Sequence, residues 1–326
     1  MSFTRRDFLK LAIVSGGATA LPAGAQPAPF PSKPLQIIVP FATGGGNDVM
    51  ARMVAPALSR QLGQPVIVDN KVGAGGNIGS QFVARAPADG HTLLLATNTL
   101  TLNPFLLKSI PFDVTTDLAP VGTIANQPIV VVTHPSVPAK NMRELIAYLK
   151  REPGKLFYAS PGNGTPHHFA AEMFKLVAGV SMNHVPYKGA VPALTDLIAG
   201  QVQVMFASVI SALPFIRDGR ITALATAEGR RIAILPDLPT VKEAALPTYE
   251  ATIWGGLMTT GGTPTAIVNR LSEAMLAAVK QPELTSQLNT AGFAIDAGSP
   301  EDMRNLIRND LQQWGKVAAA VGIVPE

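Results

Sequence analysis

Cysteine is absent from the 326 residues. The chain therefore has no disulfide framework, thiolate zinc site, iron–sulfur cluster or cysteine nucleophile. Charge is sparse: 15% of residues are Asp, Glu, Lys or Arg, against 47% hydrophobic ones, a balance that excludes a disordered chain. The formal net charge is +4, and no basic run is longer than a pair such as Arg230-Arg231. No nucleic-acid partner is expected from that pattern. Beyond residue 21 no long apolar segment escapes Gly, Pro or charge, so no membrane span is expected.

Several chemical motifs are missing too. No Gly-Lys-Ser/Thr occurs, which excludes a Walker loop. No Gly-x-Ser-x-Gly elbow occurs either; Gly179-Val-Ser-Met-Asn183 is the nearest miss. His91, His134 and His184 are scattered, and the adjacent His167 and His168 diverge by ~100° on a helix. A metal site is not expected, nor is a cofactor. Asp237 and Glu243 lie in Pro-rich, surface-like sequence, so no catalytic set emerges.

Glycine and proline are plentiful instead, 57 of 326 residues, and imply many turns. The length suits one large domain or two of about 150 residues, each with its own core. Residues 4–10 read Thr-Arg-Arg-Asp-Phe-Leu-Lys, then meet a small-residue apolar stretch from Leu11 to Leu21 and a small-x-small site at Ala23-Gly24-Ala25. This resembles a bacterial twin-arginine export signal over residues 1–25.

Short apolar runs then alternate with helical patterns, which predicts α/β architecture with largely parallel sheets. Strands are expected at Leu35–Val39, Val66–Val68, Thr92–Ala96, Leu156–Ala159, His184–Tyr187 and Val202–Phe206. Helices are expected at Asp48–Leu62 with Gly63 as its C′ residue, and at Asn141–Arg151, His167–Val177 and Val191–Ala199. Thr263-Pro264 and Ser299-Pro300 each read as an N-cap followed by Pro at the first helical position, with Asp302 placed for a capping-box-like start. Two strand–Gly-loop–helix units suggest two lobes, residues 26–125 plus 253–326 and residues 126–252. The apolar strands Ile129–Thr133 and Ile253–Met258 are placed to cross between them.

Gly44-Gly45-Gly46-Asn47 brings open backbone N–H groups to a helix start, where the dipole favours an anion. A plain strand–helix turn explains the same residues. Ser160, Asn163 and Thr165 add hydroxyl and amide donors to a second loop, with Gly162 and Gly164 keeping its backbone open. Thr165-Pro166 is also a good helix cap. His168 is placed to line the cleft as a donor. Gly73-Ala-Gly-Gly-Asn-Ile-Gly79 fails the dinucleotide spacing and reads as a structural turn. Asp48 with Arg52 at i+4 reads as a dipole-satisfying ion pair, with capture of a ligand ammonium as the alternative.

These residues are similar to a known family. Pro40-Phe41 with Gly44-Gly45 and Asp48-x-x-Ala-Arg52 resembles the opening motif of the Bug family, the extracytoplasmic receptors of tripartite tricarboxylate transporters. Ala88-Asp-Gly-His-Thr-Leu93, Tyr158-Ala-Ser-Pro-Gly-Asn-Gly-Thr165, Val185-Pro-Tyr-Lys-Gly189 and Leu235-Pro-Asp-Leu-Pro-Thr240 continue the likeness over nearly the whole mature chain. The resemblance implies a two-lobed, type II-like periplasmic binding protein, each lobe a mainly parallel sheet flanked by helices, with two crossing strands as hinge. It implies that a carboxylate is held by Phe41, Thr43, Gly44, Gly45 and Asn47 from one loop and Ser160, Gly162, Asn163, Gly164 and Thr165 from the other. Asn98, Thr99, His168, Phe206, Ala207 and Ser208 sit at matching strand ends. Thr43 stands where Ala or Pro is common and adds a hydroxyl.

The expectation is a monomeric periplasmic receptor, not an enzyme, delivering a small carboxylate to transporter membrane subunits. Di- and tricarboxylates, acidic amino acids and aromatic acids all fit. The rival is a secreted α/β hydrolase or isomerase acting on a carboxylate substrate.

Overall fold

The computed structural model describes residues 30–320. The export-signal expectation on residues 1–25 lies outside the described residues. Eleven strands form along the described chain: β1 (Leu35–Val39), β2 (Val66–Asn70), β3 (Thr92–Thr97), β4 (Leu118–Gln127), β5 (Ile129–Thr133), β6 (Phe157–Ser160), β7 (Asn183–Pro186), β8 (Val204–Ser208), β9 (Thr222–Thr226), β10 (Ile253–Thr260) and β11 (Ala294–Ile295). They build one sheet in the order β11-β4-β10-β3-β1-β2 and a second in the order β7-β6-β8-β5-β9.

Unbroken apolar runs put both faces of the central strands in contact with helices. In β1, Ile37 and Val39 enter one core with the helices Gly46–Leu62 and Thr265–Val279, while Ile38 points to the other face. In β5, Val131 packs with the helix Pro166–Ala178, and Val130 and Val132 pack with Ala190–Ile198. Alternation along one strand thus feeds two cores.

The sheets are mixed rather than mainly parallel. β2-β1-β3 and β7-β6-β8 pair in parallel through helical crossovers, whereas β10 runs antiparallel between β3 and β4, and β5 between β8 and β9. The two antiparallel strands, β5 and β10, are the ones that follow the crossings between sheets. The chain leaves the first sheet at Gln127, passes Pro128 and starts β5 at once; it returns to start β10 at Ile253.

Helix ends follow their local chemistry. Gly63 closes the first helix at φ +69°, donating its N–H to Ser59 O at 2.9 Å, a backbone state that favours glycine. Ser299 and Asp302 cap the last helix, Pro300–Ala320, reciprocally: Ser299 N–H donates to Asp302 at 2.8 Å and Asp302 N–H to Ser299 Oγ at 3.2 Å. At Thr263-Pro264 the register differs from expectation. Pro264 is itself the N-cap, with ψ 135°, and the helix starts at Thr265.

The last helix spans both cores. Met303 and Ile307 pack beside β1 of the first sheet, and Trp314, Val317 and Ala318 enter the core of the second. The Trp314 and Phe169 rings meet edge to face at 5.7 Å. Asp310 ties the middle of this helix down, accepting from Trp254 Nε1 at 2.7 Å, Thr101 Oγ1 at 3.0 Å and Asn98 Nδ2 at 3.2 Å.

Candidate functional site

A cavity of about 490 Å³ opens between the loops that follow β1, β3 and β6. Six residues singled out from the sequence line it: Phe41, Thr99, Asn163, Gly164, Thr165 and His168. They share it with Gly75, Asn103, Leu106 and Leu107.

The second glycine loop is built by its own hydrogen bonds. Gly162 O accepts from Ser160 Oγ at 3.0 Å and from Thr165 Oγ1 at 2.9 Å. Thr165 then caps the following helix, accepting from His168 N–H at 3.3 Å. Gly164 N–H donates to His168 Nδ1 at 3.2 Å, which leaves the proton of the neutral ring on Nε2. Among the described residues, His168 Nε2 and the Asn163 side-chain amide have no protein partner.

A stack of rings supports that loop from behind. His168 lies on His184 at 4.1 Å between centroids, and His184 on Tyr158 at 4.7 Å. Burial lowers the pKa of His168, and burial together with the facing His168 lowers that of His184 to about 4. Both rings are therefore neutral at neutral pH. Tyr158 donates to Glu172, whose charge is met by Lys175 at 2.7 Å. No Arg or Lys lines the cavity.

The remaining expected residues occupy other places. Thr43, Gly44 and Gly45 are exposed on the turn beyond Phe41, and Gly44 N–H donates to Asp48 at 2.9 Å. The Asn47 side chain pairs with Gln127. Ser160 is buried, its hydroxyl 2.7 Å from His184 Nε2. Gly162 is not among the lining residues; its carbonyl is the acceptor described above. Asn98 is buried and structural, accepting from Trp254 N–H at 2.9 Å and donating to Thr252 O at 3.0 Å. Phe206 and Ala207 are core residues on opposite faces of β8, and Ser208 starts the next helix without capping it.

Asp48 forms the ion pair. Its carboxylate accepts from Arg52 Nε at 2.9 and 3.0 Å, from Asn70 Nδ2 at 2.9 Å and from Gly44. Burial opposes its ionisation, but these bonds outweigh it and hold the carboxyl below its ordinary pKa.

A sequence model described as "Tripartite tricarboxylate transporter family receptor" matches residues 50–323. The chain belongs to this receptor family. Protein BugT of Bordetella pertussis is 36% identical over 295 residues, 90% of each chain. Among solved structures, R. palustris Rpa4515 with adipate is 34% identical with a TM-score of 0.81, covering 91% of this chain and all of that one. Periplasmic binding protein BugD is 31% identical, with a TM-score of 0.78 over 91% of this chain and all of that one. MatC from Rhodopseudomonas palustris, with bound malate, is 30% identical, with a TM-score of 0.76 over 89% of this chain and all of that one. The family is one of receptors, so the enzyme alternative has no support.

Sequence reading missed four lining residues of this receptor. Gly75 belongs to the turn read as structural; it sits at φ +61°, and its carbonyl accepts from Asn103 Nδ2 at 3.1 Å. The density of glycine there was an available signal. Asn103, Leu106 and Leu107 come from an irregular stretch after β3 that carries no motif. Among the described residues no helix is long and apolar enough to cross a membrane, and no group of His, Asp and Glu is placed to hold a metal ion.

Proposed function

We propose that this receptor captures a small carboxylate in the periplasm and delivers it to the membrane subunits of a tripartite tricarboxylate-type transporter. The observation that carries this reading is the cavity itself. It joins elements of both sheets at a helix N-terminus and offers Asn163 and His168 Nε2 as free donors. Donors of that kind suit an anion without a neighbouring cation. The adipate and malate named with two similar structures support the carboxylate class.

Phe41, Thr99, Asn163, Gly164, Thr165 and His168 are the proposed contacts. Thr43, Gly44, Gly45 and Asn47 join them only through a rearrangement of their turn. Residues 26–125 with 253–326 form one lobe in this reading and residues 126–252 the other, although Trp314, Val317 and Ala318 pack in the core of the second sheet. The lobes close about Pro128 and Thr252 on ligand. Calorimetry over a carboxylate panel, each acid paired with its amide, tests the reading: an amide that binds as tightly as its acid refutes it.

Export is proposed to use the twin-arginine route. Replacing Arg5 and Arg6 with Lys should leave the protein in the cytosol, because Lys does not reproduce a guanidinium; undiminished periplasmic recovery refutes that route. A monomer is proposed, and a dimer mass in analytical ultracentrifugation would overturn it.

A further inference from the structure

Resting on the carboxylate reading above, we infer that the ligand carries one carboxylate on an apolar body rather than a second charge. The cavity divides by chemistry. Its free donors, Asn163 and His168 Nε2, belong to the loop and helix start after β6. Its other polar side chains already have protein partners, although the Thr99 hydroxyl can still donate if Thr97 supplies the proton they share. The Thr99 hydroxyl lies 3.2 Å from that of Thr97, and Thr165 serves Gly162 and His168. Asn103 Nδ2 donates to Gly75 O at 3.1 Å and to Asn77 Oδ1 at 2.8 Å.

The rest of the wall is hydrocarbon from Phe41, Leu106 and Leu107. Phe41 and Leu106 also pack against the cores. Leu107 belongs to neither; it is half-buried and lines the cavity. Ligand pockets are lined mainly by apolar side chains, and Leu107, which also borders the neighbouring cavity beside Pro104 and Phe112, is available to a ligand. In this arrangement of the turn after β1, a second carboxylate would stand against this wall with no cation and no free side-chain amide or ring N–H, so stripping its water would be poorly compensated. An alkyl chain or aromatic ring gains from the same surface.

Hexanoate and adipate decide the matter, because both have six carbons and differ in one carboxylate. Calorimetry at neutral pH should show hexanoate or benzoate binding at least tenfold more tightly than adipate or malate, with hexanamide undetectable. Adipate or malate binding as tightly as the better monoacid, with hexanamide still undetectable, overturns this inference and leaves the carboxylate reading standing. Hexanamide binding as well as hexanoate overturns the carboxylate reading instead, and no heat from any of the five overturns both. Leu107→Arg should raise adipate affinity relative to hexanoate in a variant whose circular dichroism is unchanged. A ratio that stays put removes Leu107 from the ligand wall and overturns the assignment.

Discussion

Leu106 fills the space where a side chain on Gly164 would begin: a Cβ there would lie 2.5 Å from Leu106 Cδ1. The contact joins a segment between β3 and β4 of the first sheet to the loop after β6 of the second. Gly164 also sits at φ +74°, which L residues adopt at a cost of roughly 1–2 kcal/mol. Gly164→Ala should lose about that much in urea unfolding, plus the displacement of Leu106. In a Leu106→Ala background only the backbone part should remain. Equal losses in both backgrounds would show that the side chains do not meet.

Thr165→Val separates the hydroxyl's part in the cap from its contact with the ligand. Its hydroxyl holds Gly162 O and His168 N–H together, so its loss should cost about 1 kcal/mol of stability. Ligand affinity should fall with it, because the loop that carries Asn163 loses its anchor. Thr165→Ser should restore both. A valine variant with full stability and reduced affinity would assign the hydroxyl to the ligand instead.

Glu228 sits where the two crossings meet, accepting from Ile129 N–H at 3.3 Å and from Thr252 Oγ1 at 2.8 Å. Burial raises its pKa to about 7, with Glu250 and Asp296 adding repulsion and those two hydrogen bonds opposing. The folded state therefore holds this proton more tightly than the unfolded chain does. The stability it contributes is complete below pH 4.5, the unfolded value, and is lost as pH rises through about 7. Glu228→Gln should remove that decline and be the more stable protein above pH 7. Parallel melting curves across the range would refute the assignment.

His167 carries the opposite sign. Both its ring nitrogens are buried without partners, and burial lowers its pKa from 6.5 to about 4. The unfolded chain takes the proton first, so stability is present above pH 6.5 and lost as pH falls through about 4. His167→Leu should flatten that acid limb in a pH series of thermal melts. An unchanged limb would place the acid sensitivity elsewhere, at His184 first.

Local patterns made much of this fold legible. The run Leu35–Val39, the stop at Gly63 and the Ser299–Asp302 box are short-range chemistry, and the structure has them where the sequence puts them. β4 escaped because Pro120 and Gly122 interrupt it; the structure absorbs them as register shifts against β10. The Pro166–Ala178 helix start was legible from Thr165-Pro166, and with it half of the cavity. Strand ends were harder. Phe206 and Ala207 lie at the expected end of β8, but alternation turns both side chains into cores, which position alone does not reveal. Asn98 likewise faces Trp254 and Asp310, partners 156 and 212 residues away. Leu106 and Leu107 were invisible for the converse reason: nothing regular surrounds them.

The helix that spans both cores has an optical consequence. The chain has two tryptophans, and they straddle the junction. Trp254 is bonded to Asp310 on that helix, and Trp314 packs against Phe169 beneath the second loop. All indole emission thus originates where one sheet meets the other. The lobe closure proposed above would move Trp314, whose helix enters both cores, while Trp254 keeps its Asn98 and Asp310 partners, so capture of a ligand can be sought by stopped-flow fluorescence without attaching a dye.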